Sequence, residues 1–107
     1  MNAFEYDEIT RQRAESGRPY FQFINEGTMS LGLYVLAAGS VDEQSPHAED
    51  EIYYVVAGRG AIMVAGERRP VRAGSMVFVA KEVEHRFVDI EEDLSLLVFF
   101  APEHRVQ

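Results

Sequence analysis

The feature that most restricts the fold of this chain is a series of short apolar segments separated by turn residues. Between residues 20 and 100, runs of β-branched, aromatic and aliphatic side chains alternate with clusters of Gly, Asn, Asp and Pro. No segment with a helical repeat lies between these runs, which disfavours a parallel sheet built from β-α-β units. The pattern therefore predicts an all-β domain of about eight short strands, arranged as an antiparallel sandwich or barrel.

The apolar runs and the turn residues between them predict the position of each element. Residues 3–16 contain good helix formers and are followed by Gly17, which predicts a short N-terminal helix. Residues 58–60 and 91–93 are interpreted as turns, and Gly66-Glu67 as the loop of a type II′ hairpin. The strands are expected at residues 20–24, 29–38, 51–57, 61–65, 68–72, 76–79, 83–90 and 94–100.

The length of 107 residues allows one domain with one hydrophobic core. We expect an N-terminal helical arm over residues 1–18 and a single β-barrel domain over residues 19–107. The formal charge of −8 opposes binding to nucleic acid phosphates or to an anionic membrane surface. Neither is therefore expected as a partner.

Cysteine is absent from the sequence, which excludes disulfides and thiolate ligands. A bound metal ion must therefore be held by His, carboxylate, amide, hydroxyl or water ligands. The N-terminal segment is acidic and lacks the apolar core of a signal peptide, and no apolar run is long enough to span a bilayer. These features predict a cytoplasmic protein.

Three side chains near predicted strands are candidate metal ligands. His47 and Glu51 come just before the apolar run 52–57, and His85 follows further along the chain, after the next strands. Two imidazoles and one carboxylate form a ligand face that leaves half of an octahedral metal open to water, substrate or dioxygen. These ligand types suit Fe, Mn, Zn, Ni or Co, so we predict one divalent transition metal ion whose identity stays open.

Strand alternation decides which side chains can share a cavity with these ligands. Glu51 and Tyr53 lie on one face of their predicted strand. His85 and Phe87 lie on one face of theirs. If both faces point into the barrel, Glu51 and His85 enter one cavity, and His47 joins them from the preceding loop. Tyr53 and Phe87 are then candidates for lining a small-molecule pocket.

These residues resemble the two motifs of the cupin superfamily. The first motif is Gly, five residues, His-x-His, three or four residues, Glu, six residues, Gly. Its second His, its Glu and its final Gly correspond to His47, Glu51 and Gly58. The second motif is Gly, five residues, Pro-x-Gly, two residues, His, three residues, Asn, and its spacing is matched by Gly74, Ala80, Glu82, His85 and Asp89. The resemblance implies a jelly-roll barrel, or double-stranded β-helix, with a metal ion and a small-molecule ligand.

The chain departs from the first motif at Ser45, which stands where the family usually has its first His. Three replacements are considered for this ligand position. Solvent ranks first, because hydroxyl and amide groups bind these metals weakly. Glu49 ranks second as an additional carboxylate, and Gln44 or Ser45 itself comes last.

The resemblance implies one of two functions. Small single-domain cupins include dioxygenases, isomerases, decarboxylases and epimerases, and the open ligand face favours a metal-dependent dioxygenase acting on a small organic substrate. No Lys or further inward His is evident as a general base, which disfavours isomerisation and epimerisation. The alternative is a non-catalytic module that holds a metal ion or a small ligand.

A homodimer is also predicted. The run 29–38 is apolar on both faces, and together with the aromatic segment 20–24 it offers more apolar surface than one small barrel covers. Cupins similarly tend to pair through their N-terminal strands, so the resemblance implies the same arrangement.

Overall fold

The computed structural model describes residues 1–105 and shows one helix and six strands among them. The elements are α1 (Tyr6–Ser16), β1 (Tyr20–Asn25), β2 (Ser30–Leu36), β3 (Asp50–Val64), β4 (Glu67–Arg72), β5 (Met76–Val79) and β6 (His85–Ala101). The strands pair antiparallel in the order β1-β2-β6-β3-β4, and β5 also pairs with β3. Val106 and Gln107, the last residues of the predicted barrel domain, lie outside the described residues. None of the described helical segments has the length and apolar character needed to cross a membrane.

β3 and β6 are long, continuous strands, although the sequence predicts each as two strands with a turn between them. Residues 58–60 and 91–93 lie within these strands, so both predicted turns are wrong. Gly58 has a φ of 98°, and the pairing of β3 with β6 shifts register between Val55 and Ala61. Such irregularities bend a strand without ending its ladder, because the extra residue is absorbed locally. The glycine pattern therefore marks a bend in a continuous strand.

The bends divide each long strand into two halves that pair with different neighbours. Residues 50–57 of β3 pair with residues 95–101 of β6, and part of this segment also pairs with β5. Residues 59–64 of β3 pair with residues 85–92 of β6 and with β4. The buried core draws on both halves and includes Tyr53, Val55, Ile62, Phe87, Leu94 and Leu96. The two halves therefore enclose one core.

The hairpin between β3 and β4 turns one residue earlier than the sequence predicts. Its central residues are Ala65 and Gly66, with φ of 49° and 84°, and Val64 pairs with Glu67. Two successive positive φ values correspond to a type I′ turn, so the predicted type II′ turn is wrong. Gly66 adopts the left-handed conformation readily, whereas Ala65 adopts it at a steric cost.

Helix α1 covers part of the apolar surface that the sequence assigns to a second subunit. The helix ends at the predicted position, before Gly17, whose φ is 72°. Ile9 is buried, and α1 packs against β1 and β2. Leu33, on the face of β2 opposite Tyr34, is fully buried as well. The outer face of β2 is therefore less available for a partner than its sequence indicates.

Candidate metal centre

Glu51 and His85 lie at the beginning of β3 and β6 but are not neighbours in the sheet. Glu51 pairs across the ladders with Phe100 and Val79, whereas His85 pairs with Val64. The two side chains meet instead across the interior enclosed by the bent strands. His85 Nε2 is 2.7 Å from Glu51 Oε1, and each side chain is 1% exposed. The structure thus brings together the two strand residues that the sequence predicts to share a cavity.

His47 reaches the same point from the loop that precedes β3. Its ring centroid lies 5.5 Å from that of His85, and its ring packs edge-on against Phe100. The backbone N–H of Glu82 donates to the carbonyl of His47 at 2.7 Å, which ties this loop to the segment before β6. One donor atom from each of His47, Glu51 and His85 lies within 4.8 Å of the others. Small side-chain movements would allow all three to bind one ion.

The hydrogen bonds of His85 decide which ring nitrogen faces Glu51. Nδ1 lies 2.9 Å from the carbonyl oxygen of Val83, and a carbonyl only accepts, so Nδ1 carries a proton. Nε2 is therefore the atom available to a metal ion, with the ring oriented by a backbone carbonyl. Burial lowers the pKa of His85, but the hydrogen bond to Glu51, the Val83 carbonyl and nearby carboxylate charge together raise it above its usual value.

Glu51 is the residue that most requires a cation. Its Oε2 atom is buried and has no hydrogen-bond partner among residues 1–105. Such an oxygen is costly, because Oε2 has lost its water without gaining a partner, whereas Oε1 of the same group contacts His85. The described residues that line the adjacent cavity include neither Lys nor Arg. A divalent transition metal ion fits here, since it would pair with the carboxylate and accepts imidazole and carboxylate donors.

The environment of His47 favours the neutral form that a metal ligand requires. Burial is the largest effect and lowers the pKa of His47. The carboxylates of Glu51 and Glu49 raise it, and the imidazoles of His104 and His85 lower it further, so the pKa stays below its usual value. A neutral imidazole has a free ring lone pair, so His47 can bind a cation without first losing a proton.

A cavity of about 190 Å³ lies beside these ligands. It is smaller than a typical drug-sized pocket and therefore suits a small organic molecule. The hydroxyl of Tyr53 lies 3.0 Å from His85 Nε2 and donates to Gln44 Oε1 at 2.8 Å. Burial raises the pKa of Tyr53 well above its usual value, so this hydroxyl stays protonated. The cavity is lined by Tyr20, Tyr34, Gln44, His47, Tyr53, Val98, Phe100 and His104.

The additional residues predicted for the site lie in different surroundings. Gln44 and Tyr53 line the cavity, and Gln44 Oε1 is 3.3 Å from His47 Nε2. Ser45 is exposed to solvent. Phe87 is 1% exposed and packs in the core against Tyr53, with ring centroids 4.9 Å apart. Gln44 is thus better placed than Ser45 to occupy the position of the first histidine of the motif.

Asp42 is a buried carboxylate that the sequence pattern does not distinguish from a solvated loop acid. Its oxygens accept hydrogen bonds from the Tyr34 hydroxyl, the Gln44 amide and the backbone N–H of Phe87, at 2.6 to 2.8 Å. Because Gln44 donates its NH₂ group to Asp42, the Gln44 oxygen faces Tyr53. Asp42 thereby orients a neutral oxygen donor toward the ligand cluster.

His104 is the site residue that the sequence does not reveal. The sequence pattern places it in the polar tail after the last strand, and no motif spacing marks it. In the structure its ring stacks on Phe100 at 4.4 Å and lies 5.0 Å from that of His47. Its Nδ1 is 2.6 Å from Glu49 Oε1. All three histidines of the chain therefore meet at one site.

A family model and two known proteins are similar in sequence to this chain. The family model described as Cupin domain matches residues 32–100. An uncharacterized protein of Streptomyces coelicolor is 50% identical over 102 residues, which are 95% of this chain and 97% of the relative. The pectin degradation protein KdgF of Dickeya dadantii is 31% identical over 68 residues, which are 63% of this chain and 62% of that protein.

A solved structure is similar to this chain in its fold. Salicylate 1,2-dioxygenase from Pseudoaminobacter salicylatoxidans superposes with a TM-score of 0.80, over 94% of this chain and 36% of that chain. The sequence identity is 18%, so this likeness shows the fold alone. It confirms the predicted fold class, an antiparallel jelly-roll barrel with a short N-terminal helix.

Proposed function

The chain belongs to the cupin domain family, as its two motifs predict, and from this premise we propose that it is a metal-dependent enzyme acting on a small organic substrate. The observation that supports the proposal most strongly is the buried Oε2 of Glu51, which lies beside two imidazoles and lacks a hydrogen-bond partner among residues 1–105. His47, Glu51 and His85 would hold the ion. When bound, the ion supplies a Lewis acid with open positions for substrate and dioxygen.

The cavity walls support a planar substrate that carries a hydroxyl group. Aromatic rings make up most of the lining, and they favour flat, conjugated molecules. The hydroxyls of Tyr34 and Tyr53 donate to Asp42 and Gln44, which leaves their oxygens as acceptors. A substrate O–H group directed at these oxygens would orient the molecule toward the ligand cluster.

The proposed ligand set favours one reaction class over the others. Two imidazoles and one carboxylate would leave coordination positions of the metal ion open for dioxygen, which favours a dioxygenase. His104, with Glu49 against its ring, corrects the expectation that no further inward histidine is available as a base. Isomerisation of the substrate therefore needs to be assayed beside its oxygenation.

Metal analysis of protein purified without added metal is the first test. We expect close to one equivalent of a transition metal, and less than about 0.1 equivalent would remove the proposal. Oxygen uptake with a panel of catechols, diketones and thiols is the second test. A protein that binds metal but turns over none of these compounds, by oxygenation or by isomerisation, would instead be the non-catalytic binding module.

We also propose a homodimer, but the apolar surface that supports it differs from the one that the sequence predicts. The most exposed apolar side chains of the described sheet are on β3 and β5 rather than β2, where Ile52, Met76 and Phe78 are 45%, 73% and 62% exposed. Ile52 and Phe78 are direct ladder neighbours, so they form one apolar patch. Light scattering at micromolar concentration should give a dimer mass, and a monomer mass would contradict the prediction.

A further inference from the structure

A second cluster of metal-binding side chains lies beside the first. One donor atom from each of His47, Glu49 and His104 lies within 4.8 Å of the others. We call His47, Glu51 and His85 the inner position, and this second set the outer position. The two positions share only His47, whose imidazole lies between them.

The two positions differ in their access to solvent. In the inner position the side chains of Glu51 and His85 are each 1% exposed. In the outer position those of Glu49 and His104 are 13% and 22% exposed. An ion that arrives with its water shell can therefore reach the outer ligands while still partly hydrated, whereas the inner ligands require it to lose more water.

Contacts from distant parts of the chain hold the outer position in place. The backbone N–H of His104 donates to Ser30 Oγ at 2.9 Å, and its carbonyl accepts from Gln22 Nε2 at 2.8 Å. The ring of His104 is fixed by stacking on Phe100. A residue beyond the last strand is thus anchored so that Nδ1 faces Glu49, which lowers the entropic cost of binding a ligand there.

The charge balance also favours a cation at the outer position. Glu49 and Glu51 each place a carboxylate oxygen within 4.8 Å of a ring nitrogen of His47. Within residues 1–105 the cavity lining supplies no Lys or Arg to balance them. Buried or partly buried carboxylates whose neighbours are imidazoles, and not Lys or Arg, are stabilised by a metal ion.

We propose that His47, Glu49 and His104 form an outer metal position, which captures a divalent transition metal ion before the ion passes to the inner position. The proposal rests on the proposed metal site at His47, Glu51 and His85. Because both positions draw on His47, they hold one ion alternately, and the protein binds one ion in total.

Titration of metal-free, full-length protein with Co(II), followed by visible absorption and calorimetry, tests this proposal. Wild type should bind one ion, and His104→Gln should bind one ion with an affinity within about 3-fold of wild type, since the inner position is intact. Glu51→Gln should bind at least about 100-fold more weakly than wild type, and adding His104→Gln should weaken its binding about 10-fold more. Two bound ions in wild type would overturn the alternating arrangement.

The double variant separates this proposal from the proposed function. If wild type binds no Co(II), both fail. If wild type binds one ion but Glu51→Gln and the double variant bind equally, only the outer position fails. A single variant His104→Gln as weak as Glu51→Gln would show one shared site and would also overturn the outer position. Circular dichroism confirms folding, and His85→Gln provides a second variant of the inner position.

The rate of Co(II) uptake tests the capture role. Stopped-flow mixing should show that His104→Gln takes up Co(II) more slowly than wild type, by at least about 3-fold, while reaching the same final occupancy. Glu67→Gln, which removes an exposed carboxylate on the hairpin, should load at the wild-type rate. Equal loading rates for His104→Gln and wild type would exclude capture at the outer position.

Discussion

Replacing Glu51 with glutamine is the most direct test of the inner metal position. The substitution keeps the shape of a side chain that is 1% exposed but removes its charge. In the metal-free protein the cost is small, because the amide NH₂ can donate to His85 Nε2 and because the substitution removes a buried carboxylate oxygen that has no partner within the described part of the chain. The affinity for the metal ion should fall strongly, because the substitution removes the only charged ligand of the inner position.

The expected metal-dependent shift in Tm can be calculated from the free energy that metal binding adds to the folded state. With free metal at about 100 times the wild-type Kd, binding stabilises the folded protein by about 2.7 kcal/mol. For a domain of this length, about 4 °C of Tm corresponds to 1 kcal/mol, so wild type should gain about 10 °C. If the variant binds about 100-fold more weakly, the same metal concentration stabilises it by about 0.4 kcal/mol, or about 2 °C.

Thermal unfolding followed by circular dichroism, with and without metal, measures the metal-dependent Tm shift of wild type and of Glu51→Gln. The metal-free Tm of Glu51→Gln should lie within about 4 °C of metal-free wild type, which shows that the variant folds. Glu67→Gln is the matched control, since it removes a carboxylate from the exposed hairpin and should keep the full metal-dependent shift. A shift of about 10 °C in Glu51→Gln would refute the assignment of this carboxylate as a ligand.

The bend in β3, the buried tyrosines and the metal itself give further measurable outcomes. Gly58→Ala should lower the free energy of unfolding in urea by at least about 1 kcal/mol more than Gly74→Ala. Both glycines have positive φ, but only a Cβ at Gly58 would collide with the backbone of Asp93, so equal losses would contradict the packing. Burial raises the pKa of Tyr20 and Tyr34. The folded state therefore binds more protons than the unfolded state above pH of about 10, so stability should fall as pH rises past that value, as urea midpoints would show. Chelator treatment should abolish turnover, and adding back the ion should restore it.

The fold class was predictable from the sequence because strand alternation and turn residues are local signals. The lengths of β3 and β6 were not predictable in this way. Gly58 and the acidic residues 91–93 have the composition of turns, yet both segments continue their strands. Arg59 pairs in the ladder with Glu92 and forms an ion pair with Glu91, so the acidic segment is stabilised within β6 by a partner that only the fold provides.

Some residues of the candidate site were likewise predictable from the sequence, and others were not. His47, Glu51 and His85 could be proposed from the sequence because each stands at a regular spacing next to a strand. Asp42 and His104 could not, because their positions depend on hydrogen bonds to Phe87 and Ser30, 45 and 74 residues away in the sequence. Residues that support a site from a distance leave no local pattern.

The carboxylates around the cavity restrict the charge of the substrate. Glu51, Glu49 and Asp42 contribute three negative charges, and one divalent ion contributes two positive charges, which leaves −1 when the histidines are neutral. A site with this balance repels an anionic substrate more than one with a single carboxylate would. A neutral molecule that donates a hydroxyl proton to the tyrosine oxygens is compatible with the same balance. The substrate screen should therefore begin with neutral catechols and enolisable diketones, and a clear preference for carboxylate substrates would contradict this charge balance.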